Sequence, residues 1–197
     1  MSKKSSAVLK YIILLSCCFL LGIFVRTKLV LVMKIPSGSM EKTIMTGDRL
    51  IGNRLAYTNG RKPKRGDIAV FRYPVDEKEL FIKRVIGEPG DTVKIKDGFV
   101  WINGKKLLES YTTEKWGDEE NLTFKVPKNC YFMMGDNRNN SLDGRYWAEE
   151  ALTSGLAKNE KEASKYSFVS KDKFVAKASF RIGLHPDIYK NYQKYNN

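Results

Sequence analysis

The sequence predicts a mainly β domain behind one N-terminal membrane-spanning helix, and three observations predict it. Residues 11–25 carry no charge, with Lys3, Lys4 and Lys10 before them and Arg26 and Lys28 after. Beyond residue 34, short segments rich in Val, Ile, Phe and Tyr alternate with Gly, Asp, Asn and Pro, the pattern of strands and tight turns. Helical periodicity is mostly absent from that part of the chain.

The uncharged run is 15 residues long, short of the roughly 20 that cross a bilayer. Residues 29–33 are apolar again, and Lys10, Arg26 and Lys28 can extend their charged ends toward water. The span is therefore assigned to 11–33, behind a basic tail at 1–10. A cleaved secretory leader needs a small-residue site such as Ala-x-Ala after its apolar core, and none follows Val25. A lipoprotein leader ending at Cys17 fails because too few apolar residues precede that cysteine. The flanking charges are nearly balanced, so they leave the orientation open.

From 34 to 186 the chain reads as one β-rich domain. Strands are expected at 48–52, 67–73, 80–86, 92–96, 99–102, 123–126, 131–135 and 174–180. Glu88-Pro89-Gly90-Asp91 suits a tight turn, while Lys96-Asp97-Gly98 and Ile102-Asn103-Gly104 supply hairpin residues that tolerate positive φ. Residues 148–165, rich in Ala, Glu, Lys and Leu, suit a solvated helix within a charged insertion at about 148–167. That insertion reads as a solvated excursion or a partner surface. A polar, tyrosine-rich tail fills 187–197.

Composition narrows the function classes. The net charge of +13 asks for a polyanion or an anionic lipid surface. Nucleic acid is excluded as a partner, because along the sequence the aromatics do not gather with Lys and Arg into a recognisable motif. Three cysteines and one histidine, His185, cannot build a structural zinc site, so no metal or other cofactor is expected.

Three segments carry possible chemistry. Ile35-Pro36-Ser37-Gly38-Ser39-Met40 is a serine-rich turn able to hold a nucleophile, although by itself it also reads as a plain loop. A serine hydroxyl needs a base within reach, either His185 near the end of the chain or a lysine kept neutral by burial. Lys83, in Phe81-Ile82-Lys83-Arg84-Val85-Ile86, shares a strand face with Phe81 and Val85. If that face is a core, the lysine is paired or uncharged; the alternative is a surface lysine whose stem lies along the sheet. The polar loop 135–145 adds Ser141, able to orient a neutral amine, and ion-pair candidates Asp143 with Arg145 or Asp136 with Arg138. A calcium loop is the other reading, but the EF-hand register is missing.

Together, in this order and on a chain of this build, these segments resemble the type I signal peptidases, in the shorter Gram-positive-like form. Residues 36–40 are similar to that family's nucleophile box, 83–91 to its lysine box and 135–145 to its third box. The similarity runs from about residue 8 to 147 and resumes more loosely at 168–182. The resemblance implies Ser39 as nucleophile, Lys83 as general base, and Ser141, Asp143 and Arg145 as groups that hold and support the lysine. It implies an oxyanion hole from the Ser39 N–H and the Ser37 hydroxyl. The substrates it implies are signal peptides of secretory preproteins with small residues at P1 and P3, bound as a strand along Met33, Ile35, Pro36, Leu80, Phe81 and Ile82. It further implies a coiled antiparallel β-sheet catalytic domain, extracytoplasmic on the plasma membrane, whose apolar rim contacts membrane lipid. Departures are Lys42 where the family usually has proline, Gly144 where it often has serine, which predicts a more flexible loop, and the insertion. The competing readings are a dedicated Ser/Lys maturase with narrow substrates and a catalytically idle anchored binding module.

Overall fold

The computed structural model describes residues 3–112, 121–182 and 194–195. Helix α1 (Lys3–Phe24) begins inside the expected basic tail, and one π-helical turn (Val25–Leu29) leads directly into strand β1 (Val30–Lys34). The stretch Leu9–Leu29 is long and apolar enough to cross a membrane, and none of it is buried against the rest of the protein. A helix suits that setting because every backbone group finds its partner within the segment. Residues 30–33, expected within the span, instead pair with β2 (Arg49–Asn53) from Val30↔Asn53 to Lys34↔Arg49. The cause is the pairing itself: the ladder satisfies their backbone, and Leu31 and Met33 pack on the core around Leu50.

The remaining strands are β3 (Ile68–Arg72), β4 (Leu80–Gly87), β5 (Thr92–Lys96), β6 (Phe99–Ile102), β7 (Lys105–Leu108), β8 (Leu122–Lys125), β9 (Cys130–Met134), β10 (Val169–Ser170), β11 (Phe174–Ile182) and β12 (Lys194–Tyr195). They form a seven-stranded sheet, β1-β2-β11-β3-β4-β9-β10, and a five-stranded sheet, β12-β7-β6-β5-β8. The described pairings are antiparallel. All eight expected strands form, within a residue or two at their ends. β1, β7 and the two-residue β10 and β12 were not anticipated. The expected tail 187–197 lies outside the described residues except for β12.

Irregularities curl the larger sheet. Register shifts fall in β11, on both of its neighbours, and in β4 between Val85 and Gly87, and such bulges bend and twist a strand. Gly87 is needed at its bulge because a Cβ there would sit 2.7 Å from Val93 Cγ2 and 2.8 Å from Val126 Cγ2. The smaller sheet therefore packs closely, enclosing Ile86, Val93, Ile95, Val100, Ile102 and Phe132. Both hairpin signals hold: Asp97 and Gly98, then Asn103 and Gly104, all take positive φ, as two-residue primed turns require. Cross-strand register also sets Trp101 between Lys94 and Lys106 on the outer face, a gathering of aromatic and basic groups that the linear sequence does not display.

The expected helix at 148–165 is two short ones, α2 (Trp147–Thr153) and α3 (Glu160–Ala163). Gly155, at φ +74°, ends the first, and its N–H donates to Leu152 O at 3.0 Å, a glycine-terminated stop. Ala151, Ala157 and Ala163 form a small core with Val75 and Tyr166, so the insertion packs on the domain.

Trp147 ties the insertion to the main core. It is fully buried and lies 5.7–6.2 Å, centroid to centroid, from Phe71, Tyr73 and Phe81. Trp147→Ala is expected to cost about 3–5 kcal/mol in denaturant unfolding. Trp147→Phe is expected to cost much less, because the indole N–H has no hydrogen-bond partner among the described residues.

Candidate active site

Ser39 lies in the loop between β1 and β2, and that loop is fixed at both ends. Ile35 N–H donates to Asp48 O at 2.8 Å, and Gly47 N–H donates to Ile35 O at 2.8 Å. Met40 and Ile44 are fully buried and anchor its middle. From the other side, Asn137 donates through its backbone N–H to Ser39 O at 3.1 Å and through Nδ2 to Gly38 O at 3.1 Å.

Lys83 arrives from the centre of β4, paired with Ala69 of β3. Its Nζ lies 2.6 Å from Ser39 Oγ, and the residue is 4% exposed. Phe81 and Val85 belong to one buried cluster, so the face read from strand alternation is a core face. Burial lowers the lysine pKa to about 8; the Asp143 and Asp136 carboxylates oppose that shift and Arg145 adds to it. A neutral amine at this distance can accept a proton from the Ser39 hydroxyl, the arrangement that a serine nucleophile with a lysine base requires.

The loop 135–145 surrounds this pair with fixed charges. Asp143 is fully buried and accepts from Arg145 Nε at 2.8 Å, Arg145 Nη2 at 2.9 Å and Gly135 N–H at 3.0 Å. Arg145 also donates to Arg138 O at 2.8 Å. The alternative pairing of Asp136 with Arg138 does not form. Asp136 instead accepts from Arg84, Nε at 2.8 Å and Nη2 at 2.5 Å, and from the Thr43 hydroxyl at 2.5 Å. Arg138 bonds Glu109 through both terminal nitrogens. Ser141 is not joined to Lys83: its Oγ is buried without a hydrogen-bond partner among the described residues, packed beside Gly135. A Cβ at Gly135 would lie 2.2 Å from Ser141 Oγ and 2.5 Å from Ser39 O, so only glycine lets the loop close on the serine turn.

Gly144 does not loosen this loop. It is buried and donates to Met133 O at 3.0 Å. A side chain there would meet Ser167 O at 2.8 Å, so the glycine is what allows the end of the insertion to pack against the loop.

A cleft of about 470 Å³ opens beside the pair, walled by Pro36, Ser37 and Ser39 on one side and Leu80, Phe81 and Ile82 on the other. Met33 and Ile35, expected to contact substrate, do not line it; both pack in the core beneath the sheet, Ile35 almost fully buried. The cleft also borders an open sheet edge. β9 pairs with β4 only from Arg84 onward, so Leu80, Phe81, Ile82 and Lys83 are laddered on the β3 side alone. Val85 and Glu79 bond toward β3, and alternation then aims the N–H and C=O of Leu80 and Ile82 at the open edge.

Arg84, Thr43, Asn137, Glu109 and Gly135 were missed in the sequence. The available signal was Arg84 beside Lys83 in an apolar strand: the two point to opposite faces, so each needs its own account of charge. Asp136→Ala leaves Arg84 an unpaired buried cation and is expected to cost about 3–5 kcal/mol on denaturant unfolding. The double variant Arg84→Met/Asp136→Leu is expected to recover part of that loss, because no lone charge remains inside.

Comparison with known proteins gives the family. The family model described as signal peptidase, peptidase S26, matches residues 8–183. A probable signal peptidase I-2 of Synechocystis sp. is 43% identical over 134 residues, covering 65% of this chain and 60% of that relative. A signal peptidase I of Leptolyngbya laminosa is 38% identical over 157 residues, covering 74% of each chain. A solved signal peptidase I from Enterococcus faecalis V583 is 28% identical, covers 59% of this chain and 97% of that one, and has a TM-score of 0.44. With a serine and a buried lysine in contact inside the matched region, the chain belongs to the signal peptidase family, peptidase S26.

Proposed function

We propose that the protein is a membrane-bound serine endopeptidase that removes N-terminal signal peptides from secreted preproteins by a Ser39/Lys83 dyad. One observation carries the reading: the Lys83 amine lies 2.6 Å from Ser39 Oγ in a site whose burial lowers its pKa to about 8. An ordinary surface lysine is charged at neutral pH and cannot act as a base.

The substrate enters as an extended strand on the open edge of β4, bonding Leu80 and Ile82 through their main chains, with small P1 and P3 side chains facing the cleft. Ser39 Oγ attacks the scissile carbonyl carbon while its proton passes to Lys83 Nζ. The carbonyl oxygen becomes an oxyanion that accepts from the Ser39 N–H and the Ser37 hydroxyl, neither of which has a hydrogen-bond partner among the described residues. Charge stabilisation of this kind acts only as the transition state forms. Collapse breaks the C–N bond, and the Lys83 ammonium gives its proton to the departing amine. The remaining acyl ester is hydrolysed by a water that Lys83 deprotonates. Once Ser39 is esterified the amine loses the hydroxyl partner, and Ser141 Oγ, buried beside Gly135, is the group proposed to hold it then.

The helix at Leu9–Leu29 is proposed as a single-pass plasma-membrane anchor, with the β domain extracytoplasmic and its apolar rim on lipid. The substrates, the anchor's orientation and the membrane are parts of this proposal.

Cleavage of a preprotein bearing an Ala-x-Ala site, in detergent, tests it. Ser39→Ala and Lys83→Ala are each expected to retain folding and to lose activity by at least about 10²–10⁴-fold. Cleavage retained by Lys83→Ala rules out the dyad. Ser37→Ala is expected to lower kcat by about 10²-fold.

The sign of the pH dependence follows from the lowered pKa. Below about 8 the amine is protonated and inactive as a base; above it the amine is neutral. The logarithm of kcat/KM is expected to rise with unit slope and level near that pH. A rate independent of pH between 6 and 9 contradicts a lysine base.

A further inference from the structure

The hairpin joining β3 to β4 gathers acid in a strongly basic chain: Asp76, Glu77 and Glu79 occur together in a protein of net charge +13. Two of them have structural partners. Asp76 accepts from Lys78 N–H at 3.0 Å and closes the turn, and Glu77 pairs with Lys173 at 2.7 Å. Glu79 differs. Its backbone carbonyl accepts from Tyr73 N–H at 3.0 Å, which extends the β3–β4 ladder. Its carboxylate has no ion-pair or hydrogen-bond partner among the described residues. It also lines the cleft that holds Ser39 and Lys83, the one carboxylate among the described lining residues.

Strand geometry fixes its relation to the dyad. Residues 79, 81 and 83 share a face, and four residues of strand separate Glu79 from Lys83 by about 13 Å. A peptide laddered on the open edge advances at the same rise, so the side chain opposite Glu79 lies four residues from the one opposite Lys83 and on the same face. Leu80, Phe81 and Leu142 around that path are apolar, and the exposed Glu79 carboxylate is left as the charge that an incoming side chain meets at that end of the cleft. We infer that Glu79 is a specificity determinant that receives a lysine or arginine of the substrate four residues from the P1 residue, at P5 or P4′ according to the direction of the peptide. The inference rests on the peptidase reading above and adds a charge requirement to it.

The test uses peptides with Ala, Lys or Glu placed four residues before or four residues after the P1 residue, at P5 or at P4′. Two quantities are measured with the full chain in detergent: kcat/KM, and affinity for the Ser39→Ala variant, which holds peptide without cutting it. At one of the two positions Lys is expected to be favoured over Glu by about threefold to tenfold, less at high salt. The preference is expected to vanish in Glu79→Gln and invert in Glu79→Lys. A structural role for Glu79 would shift all peptides alike and leave the ratios unchanged. Ratios that are the same in wild type and Glu79→Lys, by both measurements, overturn the inference. If no peptide is cut, yet the affinities invert with Glu79→Lys, the peptidase reading falls and the role of Glu79 in the cleft stands.

Discussion

Strand alternation sends two neighbouring cations into the interior from opposite faces of β4, and the site depends on how each is treated. Arg84, 1% exposed, keeps its charge because Asp136 meets it with two hydrogen bonds, Gly66 O accepts a third at 2.9 Å, and the Tyr111 ring lies 3.8 Å from its guanidinium carbon. Among the described residues Lys83 meets no carboxylate at hydrogen-bond distance, only Ser39 Oγ and the edge of an aromatic cluster. Guanidinium cannot give up its proton in a protein, whereas ammonium can. The same burial therefore holds one residue as a structural cation and lets the other lose its charge.

The loop 135–145 follows from this division. Its backbone must come close enough to bond Ser39 O, which Gly135 permits, and its carboxylates must stay clear of the lysine, which their own arginines ensure. Asp143 is held by Arg145 and Asp136 by Arg84, so both negative charges raise the lysine pKa without cancelling the effect of burial. Arg138, bonded to Glu109 and Gly135 O, joins the loop to the chain beyond β7. Each arginine both neutralises an acid and fixes backbone, so the serine and lysine meet without a histidine between them.

Much of the fold was legible because its signals are local. Asp97-Gly98 and Asn103-Gly104 are adjacent pairs that only positive φ explains, and the alternation of 81, 83 and 85 set the face of Lys83 without knowledge of its partner. What stayed hidden depends on distant chain. β1 was read as membrane because its apolar residues suit lipid as well as a sheet, and only pairing with β2 decides between them. Met33 and Ile35 were expected at the substrate from the resemblance alone, and their side chains pack with the core. The Asp136 partner lies 52 residues away, and no spacing rule separates Arg84 from the nearer Arg138. Gly144 looked like a lost hydroxyl until Ser167 O was found where a side chain would go.

The junction between α1 and β1 has no slack. Five residues of π-helical turn separate the last α-helical residue, Phe24, from the first residue of β1, Val30, which is already laddered to Asn53. On the proposed reading this makes the enzyme a fixed-height cutter: the elevation of Ser39 above the bilayer is set by a rigid strand rather than by a tether. A substrate whose own apolar helix is embedded in the same membrane must then present its cleavage site at that height. The length of chain between helix and scissile bond becomes a quantity that the protein gauges mechanically, independent of the side chains it accepts.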